Sequence, residues 1–128
     1  MRKKILVVDD DTRLNRMIQL ALKDSYATLS THKGEEGVGL ALMEAPNLIL
    51  MDLMMYDMNG LEAIRLIRRN SKTSSIPIIV MTGGLSNSIK DECSKIGSVD
   101  YIAKPFTCEE LLRRIEKLLE NGNKQDTS

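Results

Sequence analysis

The residues of this chain that could do chemistry stand where short apolar runs end. The carboxylate Asp52 interrupts an apolar stretch, because 48–51 precede it and 53–55 follow it with Leu, Ile and Met. A lone carboxylate in such surroundings costs several kcal/mol unless its charge is compensated. Other polar residues also stand where apolar runs end, namely Asp9, Asp10 and Asp11 after the first run, Thr82 after the fourth and Lys104 after the fifth.

These residue types define a narrow range of chemistry if they meet in one place. Each pair of like charges about 4 Å apart costs roughly 4 kcal/mol at an effective dielectric constant of about 20. A proton or a cation must therefore lie among the carboxylates. Oxygen ligands with no Cys or His nearby suit Mg²⁺ or Mn²⁺. An anion between the metal, Lys104 and the Thr82 hydroxyl would be held from three sides, and a phosphoryl group on Asp52 fits that demand.

The elements that must bring these residues together are alternating strands and helices. Strands are expected at 5–8, 48–51, 76–81 and 99–103, where short apolar runs occur, and at 26–31, where the pattern is weaker. Helices are expected around 14–22, 35–44, 61–67, 86–96 and 107–119, where apolar residues recur at helical spacing. Strands that are apolar on both faces indicate a parallel sheet covered by helices on both sides.

The sequence therefore predicts an α/β fold, a doubly wound five-stranded parallel sheet with five helices on its two faces. We expect the flavodoxin-like strand order 2-1-3-4-5, in which the first and third strands are neighbours. Ligands in such sheets bind outside the carboxyl ends of the strands, at the point where the strand order reverses. The polar residues after each strand would then meet at this edge of the sheet.

Length and composition favour a single domain at 1–120 with a flexible tail at 121–128. The 18 basic residues balance the 18 acidic ones, and no basic run interleaved with aromatic residues suggests direct binding to nucleic acid. No apolar run approaches the roughly 20 residues of a membrane span, and the first residues do not resemble a signal peptide, so we expect a cytoplasmic protein. Cys93 and Cys108 are expected to be reduced thiols.

Four separated motifs resemble the receiver domain of two-component response regulators. The motifs are Asp9-Asp10 after I-L-V-V, Asp52 within L-I-L-M-D-L-M-M and before N-G-L-E, Thr82 after I-I-V-M, and Lys104-Pro105-Phe106 after D-Y-I-A. The resemblance covers about 3–120, with an organisation like that of single-domain chemotaxis regulators. It implies a domain that receives a phosphoryl group on Asp52 from a histidine kinase or a phosphotransfer protein.

The resemblance also implies a role for each residue of the site. Mg²⁺ would be held by Asp9, Asp10, Asp52 and the backbone carbonyl of Met54. Thr82 and Lys104 would contact the transferred group, and the bond between Lys104 and Pro105 would be cis. The domain would catalyse only its own phosphorylation and dephosphorylation, so it is not expected to be an enzyme in the usual sense.

A switch and an output surface are implied in the same way. Thr82 would move toward the phosphoryl group, and the ring of Tyr101 would fill the space that it leaves. The downstream protein would bind the face made by the fourth helix, the fifth strand and the fifth helix. The chain would be a monomer or a dimer that forms on phosphorylation.

Several residues near the site also have simpler interpretations. Asp11 is expected to cap the first helix rather than bind metal, and Asp57 is expected to act in a turn or a cap. The side chains of Met54 and Met55 are interpreted as pocket and core fillers. Tyr56 stands where the family commonly has Pro, so we expect an exposed ring and a less rigid loop. Gly83 and Gly84 follow Thr82 and predict a flexible loop there.

Three other functions compete with phosphorylation on Asp52. A receiver-shaped interaction module that is never phosphorylated remains open, although every residue that the chemistry needs is present. A haloacid-dehalogenase-type phosphatase would use Asp9 and Asp11, but Arg13 stands where Thr or Val is expected. A flavin-binding module of the same topology would need a phosphate loop where the acidic run would repel the phosphate.

Overall fold

The computed structural model describes residues 2–127, with side chains described for residues 2–120. Within these limits five strands alternate with five helices. The strands are β1 Lys4–Val8, β2 Ala27–Thr31, β3 Leu48–Asp52, β4 Ile78–Thr82 and β5 Val99–Ala103. The helices are α1 Thr12–Leu22, α2 Gly34–Glu44, α3 Gly60–Arg69, α4 Asn87–Ile96 and α5 Cys108–Thr127. The predicted tail at 121–128 falls outside the described side chains and stays a prediction.

All five strands pair in parallel in the order β2-β1-β3-β4-β5, as the sequence predicted. Val8 of β1 lies beside Met51 of β3, so the residues that follow, Asp9 and Asp52, lie next to each other at the carboxyl ends of the two strands. Thr82 pairs with Ala103 at the same edge, one residue before Lys104. The strand register alone therefore brings the candidate site residues to one rim of the sheet.

Two apolar cores lie on opposite faces of the sheet. The core that includes Ile49 and Met51 of β3 contacts residues of α2, α3 and α4. The core that includes Leu48 and Leu50 contacts residues of α1 and α5. Every residue of β3 and β4 is buried, which explains why these strands are apolar on both faces. Burial of each apolar side chain in these strands contributes about 1.5–3 kcal/mol, so the two central strands form a rigid base for the site.

Side-chain caps set where most of the helices begin. Asp11 accepts hydrogen bonds from the amides of Arg13 and Leu14, so the predicted cap of α1 is confirmed. Asn59, Ser86 and Thr107 cap α3, α4 and α5 in the same way. The residue before α2, Lys33, makes no side-chain cap.

The start of β4 differs from the sequence expectation. The strand was predicted from Ile76 but begins at Ile78. The amide of Ile76 donates to the carbonyl of Thr73 in a turn, and Pro77 has no amide hydrogen to pair in the sheet.

Among the residues that the structure describes, no helix has the length and apolar character that a membrane span requires.

Candidate functional site

Three carboxylates converge at the carboxyl edge of the sheet. Asp9 is fully buried after β1, Asp52 is 4% exposed at the end of β3, and Asp10 is half-buried beside them. One carboxylate oxygen from each of the three lies within 4.8 Å of the others. Asp11 is absent from this group because its carboxylate caps α1. The three acids meet as predicted, and their oxygen ligands fit a hard divalent cation such as Mg²⁺.

Lys104 supplies a positive charge on the other side of this group. Its Nζ lies 3.1 Å from Asp9 Oδ2 and 3.4 Å from Asp52 Oδ1. The backbone amide of Lys104 donates to the carbonyl of Thr82, which continues the pairing of β4 with β5 to this point. Burial alone would lower the pKa of Lys104, but the adjoining carboxylates of Asp9 and Asp52 outweigh it and raise the pKa. The peptide bond between Lys104 and Pro105 is cis, as predicted.

The pKa of Asp52 is raised by its burial and by the neighbouring carboxylate of Asp9. Burial and then the Asp9 carboxylate raise the pKa of Asp52 from 3.8 to about 6, against opposing effects from Lys104 and the amide of Met54. A carboxylate with a raised pKa is one whose ionised form lacks sufficient compensating charge. Lys104 alone therefore does not neutralise the site, and a further cation would stabilise the ionised form of Asp52.

The backbone folds back sharply just after Asp52. The amide of Met54 donates to Asp52 Oδ1 at 3.3 Å, and the amide of Gly60 donates to the carbonyl of Leu53. Position 60 must be glycine, because a Cβ there would lie 2.3 Å from the carbonyl oxygen of Asp52. Met54 and Asn59 form an isolated antiparallel bridge across the turn. This tight turn holds the backbone of Met54, the predicted fourth ligand, next to the phosphoacceptor candidate.

The side chain of Met54 lines a pocket, in agreement with part of its interpretation, but it does not fill the core. It is 79% exposed and lines a hollow of about 420 Å³ together with Asp10 and Tyr56, whereas Met55 packs against the core. The ring of Tyr56 is fully exposed, as expected. Its backbone amide donates to Asp10 Oδ2 at 3.2 Å. A proline at this position could not make that bond, because it has no amide hydrogen.

Thr82 and Tyr101, the residues of the predicted switch, lie on the neighbouring strands β4 and β5. The Thr82 side chain is buried, and its Oγ1 accepts a hydrogen bond from the amide of Gly84 at 3.1 Å. The half-buried Tyr101 lies on the neighbouring strand, where its partner in the sheet is Val80. The ammonium of Lys90 on α4 lies 5.6 Å from the centre of the Tyr101 ring. The roles of Thr82 and Tyr101 stay predictions.

Sequence reasoning missed one residue that supports the site. Asn15 is fully buried, and its Nδ2 donates to the backbone carbonyls of Asp9 and Thr31 at 3.0 and 3.1 Å. It thereby joins the ends of β1 and β2 directly beneath the first metal-ligand candidate. The signal was available, because Asn15 stands at core spacing from Ile18 and Leu22 on α1, where an apolar residue is expected.

Comparisons with known proteins identify the family. A sequence profile of the response regulator receiver domain matches residues 5–116. The chain is 42% identical over 117 residues to the response regulator ArlR of Staphylococcus saprophyticus, covering 91% of this chain and 52% of ArlR. It is 34% identical over 117 residues to protein PilH of Pseudomonas aeruginosa, covering 91% of this chain and 97% of PilH.

One of the similar solved structures contains a magnesium ion. The receiver domain of the sensor histidine kinase PA1611 from Pseudomonas aeruginosa holds a magnesium ion in its active-site cleft. It superimposes on this chain with a TM-score of 0.85 and 28% identity, covering 94% of this chain and 99% of that one. The acidic cluster of the present chain is consistent with magnesium binding of this kind.

The chain belongs to the receiver domains of two-component response regulators. It has the flavodoxin-like fold of that family, which functions in phosphorelay signalling rather than as a conventional catalyst. The chain spans about half the length of curated relatives such as ArlR and nearly all of PilH. Membership of this family decides against the flavin-binding module and the dehalogenase-type phosphatase.

Proposed function

We propose that this receiver domain accepts a phosphoryl group on the carboxylate of Asp52. The observation that carries the proposal is the convergence of Asp9, Asp10, Asp52 and Lys104 on one rim, with Lys104 Nζ only 3.4 Å from Asp52 Oδ1. The donor would be the phosphohistidine of a histidine kinase or of a phosphotransfer protein. Asp52 is the acceptor because it ends β3 at the centre of the sheet, with its carboxylate beside both Asp9 and the ammonium of Lys104.

The metal that this site would hold is Mg²⁺ or Mn²⁺. Its ligands would be the carboxylates of Asp9, Asp10 and Asp52 together with the backbone carbonyl of Met54. The raised pKa of Asp52 supports this choice, because a cation at the cluster would offset the repulsion from Asp9. When bound, the ion would supply positive charge for the oxygens of the incoming phosphoryl group.

The other residues of the site would position and neutralise the transferred group. Phosphoryl transfer needs in-line placement and charge stabilisation more than covalent machinery. Lys104 already lies beside Asp52, so its ammonium can follow the negative charge from the carboxylates to the phosphoryl oxygens. The buried hydroxyl of Thr82 would rotate from the Gly84 amide to donate to the same group. Catalysis would be limited to phosphorylation and dephosphorylation of the domain itself.

The switch would need more than the Thr82 hydrogen bond. Moving a population from 1:99 to 99:1 requires about 5.5 kcal/mol of differential stabilisation. A hydrogen bond to a charged group supplies about 1.5–3 kcal/mol. Lys104 and the metal ion would therefore both have to favour the phosphorylated state. The ring of Tyr101 would turn inward, which would change the surface that a partner contacts.

The partners follow from the family and from the proposed switch. Receiver domains interact with histidine kinases and with downstream targets. Here the downstream protein would bind the face of α4, β5 and α5, on which Tyr101 lies, and the domain would be a monomer or a phosphorylation-dependent dimer. A cytoplasmic location is part of the same proposal.

Incubation with acetyl phosphate and Mg²⁺, followed by intact-mass measurement, tests the proposal. The wild-type protein should gain the mass of one phosphoryl group, and Asp52→Asn should gain none. Omitting Mg²⁺ should abolish the gain in the wild type. An unmodified wild-type protein would instead favour the receiver-shaped interaction module that is never phosphorylated, and equal modification of both proteins would place the acceptor elsewhere.

A further inference from the structure

The loop between β3 and α3, residues 53–59, is hydrogen-bonded to the start of the helix α2. Asp57 Oδ1 accepts a hydrogen bond from the amide of Gly34 at 3.0 Å, and Asp57 Oδ2 accepts one from the amide of Glu35 at 3.1 Å. These amides open α2, which lies 22 or more residues earlier in the chain. Asp57 therefore acts as a cap, but for a helix that is remote in sequence.

The helix α2 needs this carboxylate because it has no cap of its own. Its first amides have no intrahelical partners, and the N-cap residue Lys33 contributes no side-chain bond. The amides of Gly34 and Glu35 are the main cause of the lowered pKa of Asp57. A negative charge at a helix N-terminus is also favoured by the helix dipole. The loop and the helix are therefore joined by two charge-assisted hydrogen bonds.

The helix and the loop also touch directly. A Cβ built on Gly34 would lie 3.1 Å from both Met55 Cε and Met58 Cβ, which is closer than side chains normally pack. The first turn of α2 therefore rests on the loop with no space between them. The contact and the paired hydrogen bonds restrict the movement of the loop relative to α2.

The backbone of the same loop also contacts the carboxylate cluster. The amide of Tyr56, the residue before Asp57, donates to Asp10 Oδ2, and the amide of Met54 donates to Asp52 Oδ1. Two of the three clustered carboxylates are thus oriented by backbone atoms of the loop. Any movement of the loop away from α2 would move these donors.

We propose that Asp57 is a positioning residue that sets the affinity of the acidic cluster for a divalent ion by holding the loop against α2. The inference rests on the proposed function, because it assumes that Asp9, Asp10 and Asp52 bind Mg²⁺. Asp57 is not expected to touch the ion. It acts through the backbone of Met54 and Tyr56, so its removal should loosen the cluster without removing a ligand.

The test compares three variants by Mg²⁺ titration without a phosphoryl donor. Asp57→Ala removes the tether and the cap together. Asp57→Ala with Lys33→Ser removes the tether but restores a cap to α2, because serine at an N-cap accepts from the helix amides. Asp24→Ala controls for the loss of one negative charge. It removes an exposed carboxylate that precedes the N-terminal end of β2. Dissociation constants are read from amide NMR shifts of the folded protein, so partial unfolding does not mimic weak binding.

We expect the variants to differ in Mg²⁺ affinity in a way that does not follow their stability to urea. Asp57→Ala should bind Mg²⁺ several-fold more weakly, up to about tenfold, the lower end of effects seen when groups behind metal ligands are removed. The double variant should recover stability to urea but keep the weak binding, and its amides at 54–57 should remain more mobile than in the wild type. Asp24→Ala should bind as the wild type does.

Two results would overturn the inference. If the double variant regained both stability and Mg²⁺ affinity, Asp57 would be a helix cap and nothing more. If Asp57→Ala bound Mg²⁺ as tightly as the wild type, the tether would have no role at the site. A wild-type protein that failed to bind Mg²⁺ at millimolar concentration would instead refute the proposed function, and the inference with it.

Discussion

Replacing Asp52 by Asn is expected to stabilise the metal-free protein. Burial and the Asp9 carboxylate raise the pKa of Asp52 from 3.8 to about 6 in the folded chain. The folded state therefore holds this proton more tightly than the unfolded state, and the contribution of Asp52 to the free energy of unfolding falls as the pH rises through this interval. This difference in pKa between the folded and unfolded chains contributes about 3 kcal/mol to the free energy of unfolding at low pH, and the contribution is lost above about pH 6.

The assay is urea unfolding in the presence of a chelator at about pH 4 and about pH 8. Asn cannot ionise, so the variant should gain about 3 kcal/mol relative to the wild type at the higher pH and little at the lower one. Asp24→Asn, at an exposed carboxylate, is the control and should show no such pH-dependent gain. Saturating Mg²⁺ should stabilise the wild type more than the variant. The reasoning is refuted if the stability difference between Asp52→Asn and the wild type is the same at both pH values.

Three further substitutions, one of them with a matched control, test the site and the backbone beneath it. Thr82→Ala should retain some phosphorylation by acetyl phosphate but lose most of the phosphorylation-dependent NMR shifts of amides at 84–106. Gly60→Ala should cost about 1–3 kcal/mol or more in urea unfolding, because its Cβ would meet the Asp52 carbonyl, whereas Gly39→Ala, with open space, should gain about 0.5–1 kcal/mol. Asn15→Ala should cost about 1–3 kcal/mol, because the buried carbonyl of Asp9 loses its donor.

Each of these substitutions has an outcome that would contradict its reasoning. A full set of phosphorylation-dependent shifts in Thr82→Ala would show that the hydroxyl does not transmit the switch. Equal effects of alanine at positions 60 and 39 would show that the close approach to Asp52 is not what requires glycine. An unchanged unfolding free energy in Asn15→Ala would mean that water replaces the amide at no cost.

The strands and their polar ends could be predicted because each rests on a local pattern. Continuous apolar runs marked β3 and β4 as central strands, and the preference of ligands for carboxyl ends then brought Asp52 and Lys104 to one rim. The cap of α1 was equally local, because Asp11 bonds to amides only two and three residues away. Patterns of this kind need no knowledge of the tertiary structure.

The contacts that the sequence did not reveal join segments distant in the chain. The bonds from Asp57 to the start of α2 follow from how the β3–α3 loop lies against that helix, and no spacing rule encodes them. The outward direction of the Met54 side chain depends on the turn closed by Gly60, where the alternation of a strand no longer applies. Asn15 was detectable as a polar residue at core spacing, but its partners at the ends of β1 and β2 were not.

The central claim is that Asp9, Asp10 and Asp52 form one divalent-ion site facing Lys104. Anomalous diffraction from crystals of the protein soaked in Mn²⁺ measures this most directly, because the anomalous signal locates the ion without assumptions about its ligands. The account predicts a single strong peak within coordination distance of all three carboxylates, and its loss in Asp52→Asn at the same Mn²⁺ concentration. A peak elsewhere on the chain, or none beside Asp52 at saturating Mn²⁺, would contradict it.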